Sequence, residues 1–82
     1  MTRIRAPEDV NGEYAGERIS LKAGDYVANP VRVGYAVPGQ DIVQNPVGSY
    51  ILEDEGTRRA TQGIAAEAFE ELRRLGLIVV QE

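Results

Sequence analysis

The chain of 82 residues contains no histidine, no cysteine and no tryptophan, and its nine basic and thirteen acidic side chains give a net charge of −4. Because histidine and cysteine supply most general bases, thiolate nucleophiles and zinc ligands, this composition excludes Ser-His-Asp and Cys-His triads, zinc centres and disulfides. The largest basic clusters are the pairs Arg58-Arg59 and Arg73-Arg74. Since phosphate neutralisation by cations supplies most affinity for nucleic acid, DNA or RNA is disfavoured as the main partner.

Length and composition predict one small domain over residues 1–82, because a hydrophobic fraction of 43% is ordinary for a globular protein. No apolar run approaches the ~20 residues that span a bilayer, and no signal-peptide core is evident. We therefore expect no membrane partner and an intracellular location.

Residues 1–60 are predicted to form short strands joined by turns, because they contain all four prolines and seven of the nine glycines. Alternation of polar and apolar side chains predicts strands at residues 3–5, 18–22, 31–37, 41–44 and 47–52. Turn signals lie at Asn11-Gly12, at residues 23–25, at Pro38-Gly39 and at the charged residues 53–56.

Residues 61–76 are predicted to form an amphipathic helix. Its apolar face would consist of Ile64, Ala65, Ala68, Phe69, Leu72 and Leu75. Thr61 or Gly63 is expected to cap the start of this helix, and Glu70 is expected to pair with Arg74.

The end of the helix is expected at Gly76, where a left-handed glycine would let Leu77 fold back on Leu72 in a Schellman closure. Residues 77–80 are apolar on both faces, which predicts a final strand inside the sheet. The sequence thus predicts an α+β fold. It would be a small twisted antiparallel sheet or partly open barrel of five to six short strands, with one C-terminal amphipathic helix and then a final strand.

The tripeptide Asn29-Pro30-Val31 recurs sixteen residues later as Asn45-Pro46-Val47. One interpretation is that Asn-Pro initiates a turn twice in one meander. The other is a duplicated binding hairpin.

No residue pattern predicts a catalytic, cofactor-binding or metal site. Residues 53–55 are acidic, but they lack the alternate spacing of an EF-hand and are better interpreted as a solvated hairpin tip. No glycine-rich phosphate loop is present. Tyr14, Tyr26, Tyr35 and Tyr50 are either a contact patch or the half-buried edge of the core.

A protein interface is the remaining prediction, because residues 31–37 form a long strand interrupted by one charge and an unguarded strand invites pairing. Together with the tyrosines, this predicts interface residues Arg32, Val33, Tyr35 and Tyr50. We expect self-assembly or contact with other proteins, and an oligomer.

Residues 69–79, FEELRRLGLIV, resemble the passage from recognition helix to wing in winged-helix regulators. This resemblance implies a DNA-binding alternative. The glutamates on the exposed helix face oppose it, and a plain helix–strand junction accounts for the same residues.

Residues 46–52, PVGSYIL, followed by an acidic tip and a helix containing Phe69, are similar to small bacteriophage β domains. The resemblance implies a bacteriophage virion component, namely a head decoration, head–tail connector or tail protein, located in the virion or in host cytoplasm before assembly. The alternative is a small acidic regulatory or inhibitory module that binds one host protein.

Overall fold

A five-stranded antiparallel sheet organises the protein in a computed structural model that describes residues 2–36, 38–39 and 43–81. Within those residues the elements are β1 Thr2–Ala6, β2 Val10–Tyr14, β3 Glu17–Leu21, β4 Gly24–Arg32, β5 Tyr35–Ala36, β6 Val43–Gln44, β7 Val47–Asp54, β8 Ala60–Ala65, α1 Ala66–Arg74 and β9 Val79–Gln81. The sheet has the order β8-β7-β4-β1-β9, while β2–β3 and β5–β6 form separate hairpins. The predicted α+β class is confirmed, and the main sheet is open because β8 and β9 are its two edges.

The hydrophobic core lies against one face of this sheet, which we call the inner face. Period-2 alternation puts Ile4, Tyr26, Leu52 and Ile64 on that face. The helix and the β2–β3 hairpin cover it, and the cluster also contains Ala6, Val10, Ile19, Leu21, Ala28, Ala68, Phe69, Leu72 and Ile78. Among the described residues, no polar or charged residue is buried.

The predicted helix boundary at residue 61 is wrong, because the segment before Ala66 forms strand β8. This segment pairs with β7, and Ile64 reaches the core from the strand and not from the helix. Thr61 donates its hydroxyl to the carbonyl of Leu52 and does not cap the helix. The N-cap residue is Ala65, whose N–H donates to the carboxylate of Glu17 on β3 at 3.0 Å.

The Schellman closure at the end of α1 is confirmed by its two hydrogen bonds. The N–H of Leu77 donates to the carbonyl of Leu72 at 2.9 Å, and the N–H of Gly76 donates to that of Arg73 at 3.1 Å. Gly76 has the left-handed φ of 77° that this motif requires. Because Leu77 forms the closure and Ile78 packs in the core, the following strand begins only at Val79.

Two predictions about that last strand are therefore wrong. It covers Val79–Gln81 instead of residues 77–80, and it lies at an edge of the sheet, where β1 is its one partner among the described strands. Val79 is 46% exposed, which fits an edge position.

Several turns also differ from prediction. Asn11 and Gly12 lie within β2, and the hairpin reverses at Ala15-Gly16, where φ is 49° and 78°. Both values are positive, as a two-residue hairpin turn demands. The strand predicted over residues 31–37 ends at Arg32 with an irregular register, while Val37, Asp41 and Ile42 lie outside the described residues. The turn at Pro38-Gly39 is confirmed, with a φ of 78° at Gly39.

Candidate protein interface

Between Arg32 and Val47 the described residues form a β-ribbon that continues β4 and β7, with β5 paired to β6. We call these residues, 32–36, 38–39 and 43–47, the arm. The molecule measures 47 × 26 × 20 Å, and its radius of gyration is 14.1 Å. A compact domain of this length has a radius of gyration of about 12 Å. Every arm residue whose exposure the structure describes is exposed, apart from the half-buried Val47. The arm therefore adds surface without adding to the core.

Contacts at the base of the arm hold its two strands together. The guanidinium of Arg32 donates to the carbonyl of Asn45 at 3.0 Å, and the N–H of Val33 donates to the carbonyl of Pro46 at 2.9 Å. Val33 also lies close over Gly48. A Cβ atom added to Gly48 would be 2.6 Å from the Cγ2 atom of Val33. Gly48 thus permits a close approach that a larger residue would prevent.

The predicted interface residues fall into two separate places. Arg32 and Val33 are exposed at the base of the arm, and Val33 is 52% exposed. The backbone of Tyr35 lies in β5, opposite Gln44. Tyr50 instead lies half-buried on the inner face of β7, and its ring centroid is 4.1 Å from that of Phe69 at an interplanar angle of 24°. Tyr50 therefore joins the base of the arm to the core.

The rings of Tyr26 and Tyr14 also belong to the core or pack against it. Tyr26 is buried, and its hydroxyl donates to the carbonyl of Lys22 at 2.6 Å. Burial raises the pKa of Tyr26, because the protein interior disfavours the charged phenolate. Tyr14 is half-buried and packs against the core cluster. Neither residue belongs to an exposed tyrosine patch.

The face of the sheet opposite the core is called the outer face. Two ion pairs cover one half of it. Arg3 pairs with Glu55 at 2.6 Å, and Arg5 pairs with Asp25 at 2.7 Å. Under these side chains, Val27 is only 3% exposed. The hydrogen bond from Arg5 lowers the pKa of Asp25 and raises that of Arg5. We call this region the closed half.

Protein groups already engage the acidic residues that were considered as a cation site. Glu53 accepts from Arg58 at 2.9 Å and from the side chain of Asn29 at 2.7 Å. Asp54 accepts from the N–H of Thr57 at 2.9 Å. Within the part of the chain that the structure describes, no group of three or more carboxylates is placed to hold a metal ion.

The other half of the outer face is open and has an apolar or small side chain at most of its positions. The register puts Val31, Ser49 and Ala65 in one row across three strands, and Asn29, Ile51 and Gly63 in the next. Val31 is 39% exposed and Ile51 is 40% exposed. We call Val31, Ser49, Ile51, Gly63 and Ala65 the outer patch. Apart from Gly63 and its two chain neighbours, no described residue has an atom within 4 Å of the position that a Cβ on Gly63 would take.

The outer patch was missed in the sequence, because its residues come from three strands and only their register brings them together. The signal available was the pair of small residues two positions apart at the end of β8, namely Gly63 and Ala65. Those two residues had been assigned to the start of the helix.

The exposed side of α1 forms a shallow groove with the β2–β3 turn, of about 800 Å³ and lined by Ala15, Ala66, Glu67, Glu70, Glu71, Arg73 and Arg74. Its arginines pair one turn back on the helix, Arg73 with Glu70 and Arg74 with Glu71, both at 3.5 Å. The predicted pair of Glu70 with Arg74 is replaced by these two.

In the described ranges, no helix has the length and apolar character needed to cross a membrane. Comparison with protein-family models, with curated proteins and with solved structures gives no match for this chain.

Proposed function

We propose that this chain is a non-enzymatic assembly protein that contacts another protein through its arm. The observation that carries the proposal is the extension of the arm beyond the core, with Arg32 and Val33 exposed at its base. An isolated two-stranded ribbon is only marginally stable in water. Such a ribbon gains stability when it lies on a protein surface, and the exposed side chain of Val33 favours that contact.

The distribution of charge supports protein over nucleic acid as the partner. Arg3, Arg5 and Arg58 are each paired with a carboxylate, so their charge is already compensated. The exposed side of α1 carries Glu67 and Glu70, which would repel phosphates. Binding of nucleic acid draws its affinity from uncompensated cations.

We further propose that the assembly to which this protein belongs is a bacteriophage virion. The resemblance of residues 46–52, the acidic tip and the helix with Phe69 to phage domains supports a head decoration, head–tail connector or tail role in a bacteriophage. Mass spectrometry of purified particles tests it directly, because a virion component is present in a fixed number of copies for each particle.

A site-specific photo-cross-linker placed at residue 33 tests the role of the arm in the cells that naturally produce the protein. We expect residue 33 to give adducts at a defined site of one protein. Residue 79 is the matched control, because Val79 is a valine of similar exposure at the far edge of the sheet. The Val33→Lys variant should remain folded by circular dichroism and lose that contact, whereas Val79→Lys should keep it.

A third cross-linker at Glu70 separates the proposal from the regulatory alternative. Adducts from residue 70 without adducts from residue 33 would show that the groove of α1, and not the arm, meets the partner. The arm proposal is also wrong if residues 33 and 79 give the same adducts, or if residue 33 gives none.

A further inference from the structure

We infer that Gly48 is a positioning residue for the arm: it forms a β-bulge at the base of the arm, and this bulge directs the arm towards its partner. The inference rests on the proposed function, since it names the residue that orients the contact surface proposed there. It concerns the direction of the arm and the side chains that the arm presents, and not the stability of the core.

The pairing of β4 with β7 passes over Gly48. Val31 lies opposite Ser49, whereas the next residue, Arg32, lies opposite Val47. Gly48 is thus one extra residue on its strand, which is a β-bulge. Such a bulge bends its strand, increases the local twist and re-aims neighbouring side chains. Because this bulge lies where the two strands leave the five-stranded sheet, it sets the direction in which the arm continues.

The bulge also decides which side chains share a face of the arm. The N–H of Val33 donates to the carbonyl of Pro46, so Pro46 lies opposite Val33. Both residues are exposed, whereas Val47 is half-buried. Without the extra residue, alternation would place Val47 opposite Val33 on the exposed face. The bulge at Gly48 therefore lets the arm present Val33 and Pro46 while Val47 remains half-buried.

Contact with Val33, and not backbone freedom, accounts for glycine at position 48. Gly48 does not have a left-handed φ. A Cβ atom at this position would be 2.6 Å from Cγ2 of Val33, against ~3.5–4.0 Å for a favourable contact between carbon atoms. Val33 is β-branched, so few side-chain rotamers are open to it. A side chain at position 48 would therefore push Val33, and the strand that carries it, away from β7.

A small displacement at this contact is enlarged at the end of the arm. Arg32 and Val33 each donate a hydrogen bond to the returning strand, at 3.0 and 2.9 Å, so the two strands of the arm are held together at its base. Relief of the contact needs about 1 Å across strands that are ~4.8 Å apart, which is a tilt of about 12°. Pro38 lies six residues beyond Arg32, a span of at most about 20 Å, so the arm end would move by about 4 Å.

Distances between two spin labels test the inference without any partner. The natural chain has no cysteine, so Pro38→Cys at the exposed turn of the arm and Glu70→Cys on α1 carry the labels. Pulsed electron spin resonance should show that Gly48→Ala shifts the mean distance by about 4 Å. Gly63→Ala is the matched control and should leave the distance unchanged, because beyond its chain neighbours no described residue has an atom within 4 Å of a Cβ added there.

The Val33→Ala change provides a rescue. It removes the Cγ2 atom that a Cβ at residue 48 would meet, so Val33→Ala combined with Gly48→Ala should restore the distance of the natural chain. Val33→Ala alone should leave that distance unchanged. Since Val33 and Gly48 are both exposed, the midpoint of urea unfolding should change by less than about 0.5 M in each of these variants.

A photo-cross-linker at residue 38 connects the direction of the arm to the contact with the partner. In the cells that naturally produce the protein, we expect the chain with Gly48 to give adducts at a defined site of the partner. Gly48→Ala should move these adducts to other sites or lower their yield several-fold, whereas Gly63→Ala should keep them.

The outcomes separate this inference from the proposed function. A label distance that Gly48→Ala leaves unchanged, or that Val33→Ala does not restore, overturns the role of Gly48 in orienting the arm. A changed distance with adducts still at the same site overturns its role in the contact. In both cases the proposed function stands if residues 33 and 38 give adducts. If neither residue gives adducts in the natural chain, the proposed function is wrong, and Gly48 has no contact to orient.

Discussion

Truncation of Phe69 to alanine should remove much of the stability of this fold. Phe69 is 3% exposed and stacks on Tyr50, so almost the whole ring is lost from the core. A buried Phe→Ala change costs about 3–5 kcal/mol, and loss of the aromatic pair belongs to the upper part of this range. The higher helix propensity of alanine offsets about 0.5 kcal/mol of this loss in unfolding free energy. A chain of 82 residues has a total stability of roughly 4–12 kcal/mol, so the variant loses at least about a quarter of it.

Urea unfolding followed by circular dichroism measures this effect. With an m-value near the lower end of the usual ~1–3 kcal/mol/M, the midpoint should fall by more than about 2 M. Glu70→Ala is the control, since its exposed ion pair with Arg73 contributes less than about 0.5 kcal/mol. Tyr50→Phe keeps the stack and should also change little. If Phe69→Ala shifts the midpoint no more than Glu70→Ala does, the buried side of α1 has been assigned incorrectly.

Two further predictions concern single interactions. Replacing Arg5 by Gln should raise the pKa of Asp25 towards its ordinary value of about 3.9, as measured by NMR titration. Because the folded pKa of Asp25 is lowered, the Arg5 pair stabilises the protein above the unfolded pKa and loses that contribution as pH falls through the folded one. An unchanged Asp25 titration would contradict this. Gly76→Ala should cost about 1 kcal/mol in urea unfolding, because φ at that position is 77°; a cost below about 0.3 kcal/mol would show that the Schellman closure tolerates a side chain.

The C-terminal half shows what periodicity can and cannot predict. Phe69 and Leu72 were correctly placed on the buried side of a helix, and the closure at Gly76 follows from a local residue preference. The helix start was missed because Ile64 is buried in either structure, so a helical period and a strand pairing both account for it. Pairing with β7 decides between them, and this depends on contacts between residues distant in sequence.

The candidate site was predicted less well than the fold, for a related reason. Arg32 and Val33 are both exposed, which an interface at these residues requires, but their role in an interface stays a prediction. Tyr50 was assigned to the same surface, but tyrosine suits an interface and a core edge equally well. Its ring packs on Phe69 because α1 crosses the inner face at that position, and nothing near residue 50 in the sequence specifies that crossing.

Gly63 is the residue whose presence the fold itself explains least. Glycine within a strand costs roughly 0.5–1 kcal/mol relative to residues with a side chain. Gly63 does not have a left-handed φ, and no neighbouring atom would be displaced by a Cβ. Inside one chain, therefore, this glycine reduces stability without relieving strain or making room for another group.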